Sequence, residues 1–147
     1  MSVENKSLIR FVIEEVFNSK RKDLVEAFYA HHCEAYCPDG PFCGREGIQR
    51  LLDNYYAAFP DFQIQINYIL AEDDRVVVHY TFVGTNTGSL AGFPPTGNLV
   101  RVPGVIVSRI KNGWITEQSF VWDNLGPRRQ SWLASIAERQ MSAPVSH

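Results

Sequence analysis

The sequence predicts an α+β domain: a curved, mostly antiparallel sheet with N-terminal helices packed on its concave face, an α+β barrel or cone. Three observations carry this expectation. Residues 7–59 place apolar side chains at three- and four-residue spacings, as amphipathic helices do. Residues 62–122 change to long runs rich in Val, Ile, Phe and Tyr, as strands do. The joints between those runs carry short turn sequences, so neighbouring strands pair as hairpins. Helices followed by a strand meander bury their apolar surfaces most simply as one layer against the other.

The elements follow in order. Ser7 to Asn18 brings Leu8, Ile9, Val12, Val16 and Phe17 onto one stripe, with Arg10, Glu14 and Glu15 elsewhere on the wheel, which predicts a first helix. A basic turn, Ser19 to Lys22, leads to a short second helix whose stripe is Leu24, Val25, Phe28 and Tyr29. Cys33 to Cys37 reads as a strand, and Pro38-Asp39-Gly40-Pro41 breaks the chain. Gly44 to Phe59 resumes helical spacing through Ile48, Leu51, Leu52, Tyr55 and Phe59, with Pro60 ending it. Four strands are expected at Phe62–Leu70, Arg75–Thr87, Leu99–Ile110 and Trp114–Trp122. Glu72-Asp73-Asp74 and Lys111-Asn112-Gly113 are hairpin joints, whereas Gly88 to Gly97 is a longer excursion containing Phe93-Pro94-Pro95. Arg129 to Arg139 reads as a last helix, with Trp132, Leu133 and Ile136 on one face. Residues 1–141 thus form one expected domain, and 142–147 a tail without structure.

Composition bounds the function. The chain has 147 residues, 45% hydrophobic and 20% charged, which is ordinary for one soluble globular domain. A formal net charge of -2, with basic residues scattered apart from Lys20-Arg21-Lys22, gives no footprint for a phosphate backbone, so nucleic acid is not an expected partner. No window offers the roughly 18 consecutive apolar residues of a membrane span, and the N-terminus lacks the order of a signal peptide. The expected location is the cytoplasm. Three cysteines, Cys33, Cys37 and Cys43, fit a reducing compartment. With His31 and His32 they invite a metal reading, but all lie in one stretch, whereas zinc sites draw paired ligands from two segments; no metal is expected.

Several motifs together identify a resemblance. The run Glu15-Val16-Phe17-Asn18, the Ala58-Phe59-Pro60-Asp61 turn, Gly84-Thr85-Asn86-Thr87-Gly88 and Gly92-Phe93-Pro94-Pro95-Thr96-Gly97 occur in that order. Arg109-Ile110-Lys111-Asn112-Gly113 and the closing Val121-Trp122-Asp123 complete it. In this order and spacing the chain resembles the SnoaL-like polyketide cyclases, of the cone-fold superfamily typified by nuclear transport factor 2. The resemblance covers nearly the whole chain and implies a small-molecule pocket, commonly a dimer, and no metal or organic cofactor. It also implies an intramolecular aldol closure assisted by an aspartate on the last strand. In this chain Phe120 stands at that aspartate's position, and a phenyl ring cannot transfer a proton. Ile106 stands where a polar pocket residue is common, and Asn86 where a histidine is.

Residues two apart on a strand share a face, so Phe120 carries Gln118 and Trp122 with it. The resemblance places Glu34 and Tyr36 inward, where a carboxylate beside a phenol would be a relocated acid/base pair; the alternative is that both are solvated at the mouth. Of His79 and Tyr80 only one can face the pocket, and the resemblance implies Tyr80 with Phe82 as the inward pair. Tyr55, in register with Leu51 and Phe59, is expected inward in preference to Tyr56. Asp123 is expected to cap a turn, and His31 and His32 to lie on the surface. The pocket is therefore expected to be lined by Phe17, Tyr29, Tyr36, Tyr55, Tyr80, Phe82, Ile106, Gln118, Phe120 and Trp122, with Phe93 as a lid. Such an aromatic, neutral cavity suits a hydrophobic ligand.

The expected function is a cofactor-independent cyclase or isomerase of a hydrophobic polyketide-like metabolite, with Glu34 and Tyr36 as candidate catalytic residues. A noncatalytic binder or carrier of such a ligand is the alternative, and an accessory interaction domain comes third. Apolar Val77, Val105 and Val107, with Thr81, on the second sheet face lead to an expected homodimer through that face.

Overall fold

The structure, a computed structural model, describes residues 2–38, 40–89 and 94–122. The chain starts as helix α1 (Ser2–Phe11) and passes directly into a π-helical segment, Val12–Asn18. The helix begins earlier than its apolar period because its first turn is held by polar residues, with Glu4 near the positively polarised N-terminus. The wider π turn closes with the Ser19 N–H donating to the Glu14 carbonyl at 3.0 Å. Val12, Ile13, Val16 and Phe17 are all buried by it. Asn18 then docks on the sheet: its amide donates to the Ile64 carbonyl at 3.0 Å and accepts from the Ile64 N–H at 2.7 Å.

A single 3-10 turn, Lys22–Leu24, and the short helix α2 (Val25–Phe28) follow. Tyr29 opens strand β1 (Tyr29–Cys37) instead of completing the helix. That strand is longer than expected and contains His31 and His32. The anticipated break at Pro38 to Pro41 is a hairpin: β2 (Gly40–Cys43) pairs back on β1. Helix α3 (Gly44–Ala58) then packs Ile48, Leu51 and Leu52 inward.

Four long strands complete the sheet: β3 (Gln63–Glu72), β4 (Arg75–Thr85), β5 (Leu99–Lys111) and β6 (Trp114–Trp122). The sheet is open and mixed, in the order β2-β1-β6-β5-β4-β3, with β1 and β6 as its parallel pair. Both short joints behave as their sequences require. Asp73 takes φ 54° at one, and Asn112 and Gly113 take φ 53° and 82° at the other, the left-handed geometry that Asn-Gly favours in hairpins. Register shifts near Asn67, in β1 and between Arg109 and Ile110 mark irregularities that bend such sheets. The helices cover one face, and Val76, Val78, Val100, Ile106 and Ile115 form the floor of the core beneath them. The fold is α+β, with N-terminal helices on a curved sheet, as the sequence predicts. The expected helix Arg129–Arg139, Asp123 and the tail lie outside the described residues.

Two polar side chains hold the turns that close the fold. Asn86, buried, donates to the carbonyls of Gly88 (2.9 Å) and Ala58 (3.4 Å) and accepts from the N–H and hydroxyl of Thr96 (3.0 and 3.2 Å), which ties both ends of the long β4–β5 connection to the end of α3. Asp61 accepts from the Thr85 N–H at 2.7 Å and its hydroxyl at 2.8 Å. Those hydrogen bonds hold the Asp61 carboxyl below the usual carboxylate range, and the Arg109 guanidinium, at 2.8 Å, does the same for Asp74. Depressed values stabilise the fold above the unfolded carboxylate pKa, near 3.8, and that contribution is lost as pH falls through the folded values. Thermal unfolding should therefore fall in midpoint between pH 6 and pH 3, and Asp61→Asn, which keeps an acceptor but cannot titrate, should narrow that gap. An unchanged gap in Asp61→Asn would refute the assignment.

Candidate functional site

Among the described residues, the inner faces of β3 to β6, helix α3 and the π segment line a cavity that is open at its mouth. Phe17 enters from the π segment, Leu51, Leu52 and Tyr55 from α3, Phe62 and Ile64 from the start of β3, Tyr80 and Phe82 from β4, Val102 from β5, and Phe120 and Trp122 from β6. Alternation accounts for the strand set: the residues at two-residue spacing on each strand point the same way.

The aromatic rings brace one another. Phe17 stacks on Phe120 with centroids 6.1 Å apart. Trp122 meets Tyr55 edge-on at 5.7 Å and Phe120 at 6.2 Å. Phe82 touches Phe59, Phe62 and Tyr55 at 5.0, 5.6 and 6.2 Å. Each ring is thus oriented by offset or edge-to-face neighbours.

Tyr80 depends on a gap in the strand opposite. It pairs across the ladder with Gly104, and a Cβ at Gly104 would lie 2.3 Å from the Tyr80 hydroxyl oxygen and 2.4 Å from Cζ. Gly104 therefore admits the ring, which lies across β5. Burial pushes the Tyr80 phenol well above its ordinary value.

Beneath the cavity runs a closed polar chain. The Tyr29 hydroxyl donates to Gln118 Oε1 at 2.5 Å, and Gln118 Nε2 donates to Ser108 Oγ at 2.9 Å; all three residues are buried. The chain ties β1, β6 and β5 together, and burial raises the Tyr29 phenol far above its usual range. Tyr29 and Gln118 thus point inward as expected but engage each other and are not part of the cavity wall. Ile106 is also inward, packed in the floor and outside the lining.

Glu34 and Tyr36 differ from the expectation. Both are exposed, on the opposite face from the cavity, where the Tyr36 hydroxyl donates to Glu34 Oε2 at 2.5 Å. The inward positions of β1 are Cys33 and Ala35, with Cys37 half-buried. The register explains the reversal: Glu34, Ala35 and Tyr36 lie opposite Glu117, Gln118 and Ser119, and Gln118 is the inward member of that trio. Solvation at this place removes the geometric ground for proton transfer by Glu34 in the cavity.

Other candidates fall where expected. Tyr56 faces away from the cavity and donates to the Val16 carbonyl at 2.6 Å. His79 is on the outer sheet face, stacked on Tyr68 at 5.0 Å with Asn67 Nδ2 3.0 Å from its Nδ1. His31 and His32 are exposed and meet edge-to-face at 4.9 Å. Phe93 lies outside the described residues. The sequence reading did not include Leu51, Leu52, Phe62, Ile64 and Val102 in the wall; the helical stripe and strand alternation that mark them as buried do not separate floor from cavity.

Comparison with known proteins places these features. The model of the SnoaL-like polyketide cyclase family matches residues 7–131. AclR from Streptomyces galilaeus, a proposed hydroxylase, is similar in structure with a TM-score of 0.78 at 23% identity, over 90% of this chain and 87% of its own. A proposed SnoaL-like polyketide cyclase from Jannaschia sp. CCS1 gives 0.78 at 20% identity over 98% and 95%. IdmH from Streptomyces antibioticus, a proposed polyketide cyclase, gives 0.74 at 24% identity over 86% and 96%. No curated protein matches the chain significantly.

Two substitutions test the site's construction. Gly104→Ala should cost about 1–3 kcal/mol of unfolding free energy by forcing the Tyr80 ring aside. Gln118→Leu should cost about 1–3 kcal/mol by leaving the Tyr29 hydroxyl buried without an acceptor. Urea denaturation measures both; wild-type stability in either variant would contradict the corresponding contact.

Proposed function

The chain belongs to the SnoaL-like polyketide cyclase family, and from that premise we propose that it is a cofactor-independent cyclase or isomerase of a hydrophobic, polyketide-like small molecule. The observation that carries this reading is the braced aromatic cavity, open at its mouth and lined almost wholly by carbon. Phe17, Tyr55, Phe82, Phe120 and Trp122 hold the substrate in a folded conformation, and Phe120 takes the place of the family's aspartate.

With a phenyl ring there, ring closure is driven chiefly by conformation. An aldol closure joins an enol carbon to a carbonyl carbon within one molecule, moves one proton and needs no redox partner. Holding the two carbons near contact removes the entropy cost of finding that geometry, which is worth several kcal/mol in well-oriented intramolecular reactions. Stacking walls on both sides of a planar chain favour that geometry and exclude water. The described lining residues include no carboxylate or imidazole, which favours, as a second reading, a noncatalytic carrier of the same ligand class.

The functional unit in this proposal is a homodimer through the outer sheet face. Tyr68, Leu70 and Val121 are exposed there, beside half-buried Val77, Val105 and Val107, which is an apolar surface that a second sheet would cover.

An aryl-capped poly-β-ketone that closes spontaneously in buffer tests the reading. The protein should accelerate closure and shift the ratio of ring-closed products, and Val102→Trp, which fills the cavity, should abolish both effects. Binding with neither rate nor product change would establish the carrier instead; no binding at all would refute both.

A further inference from the structure

We infer that the Tyr80 hydroxyl is the hydrogen-bond donor for a ligand carbonyl oxygen, so that the cavity selects flat, apolar ring systems carrying a ketone or quinone oxygen. The inference rests on the reading of the cavity as a small-molecule site and specifies what that site recognises.

Tyr80 is only 4% exposed and lines the cavity. Among the described residues its hydroxyl has no hydrogen-bond partner, unlike those of Tyr29, which donates to Gln118, and Tyr56, which donates to the Val16 carbonyl. Buried hydroxyls are nearly always paired, and one left unpaired costs about 1–3 kcal/mol. The cavity wall around it is mostly apolar, Phe62, Phe82, Val102 and Phe120 among its members, with Tyr55 and Trp122 as its other polar-tipped rings, so a bound water has few polar partners there.

The placement is built into the sheet. Gly104, opposite Tyr80, leaves room for the ring to lie across β5, so the hydroxyl is carried from β4 toward β6, where Gly104 pairs with Trp122. The phenol therefore lies over β5 at Gly104 instead of along its own strand.

Burial also keeps the phenol protonated through the physiological range. A neutral phenol offers one donor and a poor acceptor, so the complementary ligand group is an oxygen with free lone pairs. A ketone fits better than an alcohol, which would compete to donate. During an aldol closure or a keto-enol isomerisation, negative charge grows on that oxygen, and the same hydrogen bond strengthens as it does. Tyr80 thus both orients the ligand and stabilises the partial negative charge on its oxygen in the transition state.

The test uses fluorenone and fluorene, which share one skeleton and differ by a carbonyl against a methylene. Both are titrated calorimetrically into the wild-type protein and Tyr80→Phe. The ratio of the two affinities, fluorenone over fluorene, should fall about 5- to 10-fold in the variant, the worth of one net hydrogen bond. Infrared spectra of fluorenone bound to the wild-type protein give a readout that does not depend on the variant folding: the carbonyl stretch should shift to lower wavenumber than in hydrocarbon solvent. An unshifted band, or an affinity ratio unchanged by Tyr80→Phe, overturns the role of Tyr80 and leaves the cavity reading standing. Failure of both probes to bind the wild-type protein overturns the cavity reading and this inference with it.

Discussion

The parallel contact between β1 and β6 is the constraint on which the rest depends. It joins the N-terminal third of the chain, residues 29–37, to the last described strand, residues 114–122. Its register decides which side chains of β1 face inward, and the buried Tyr29 to Gln118 hydrogen bond fastens it at the closed end. A slip of one residue would exchange Cys33 and Ala35 for Glu34 and Tyr36, trading small buried side chains for a carboxylate and a phenol. The cost of burying that carboxylate makes the register strongly specified.

The same joint shows why one part of the site was misread from the sequence while others were not. Strand alternation taken from the residues themselves, Cys33, Ala35 and Cys37 against Glu34 and Tyr36, gives the observed faces. The resemblance implies an inward Glu34 and Tyr36, and the register of β1 on β6 in this chain turns both outward. On the other strands the two sources agree: Tyr80, Phe82, Gln118, Phe120 and Trp122 all point inward. Helix α3 was legible almost to the residue because its stripe and the following Pro60 are unambiguous. The β1–β2 hairpin was not, since Pro38 and Pro41 look like a break, and four residues are too few to show a period. The role of Asn86 as the pin of the β4–β5 connection was also hidden. A buried amide bonded to four groups depends on contacts that no local pattern records.

Division of labour between polar and apolar groups runs through the molecule. Among the described residues, buried and half-buried polar side chains close on one another or on the backbone: Tyr29 with Gln118 and Ser108, Asn86 with its loop, Asn18 with β3. They fix strand order and turn geometry. The cavity wall is left to rings and branched aliphatics, whose packing gives shape and rigidity. In the proposed reading a site of that kind selects by shape and flatness first, with the Tyr80 phenol as a polar contact within it.

The most direct measurement is a crystal structure of the protein grown with a polycyclic aromatic ketone. The account predicts the ligand between Phe17, Phe82 and Phe120, with its oxygen about 3 Å from the Tyr80 hydroxyl. A ligand bound elsewhere, or seated in the cavity with its oxygen turned away from Tyr80, would contradict it.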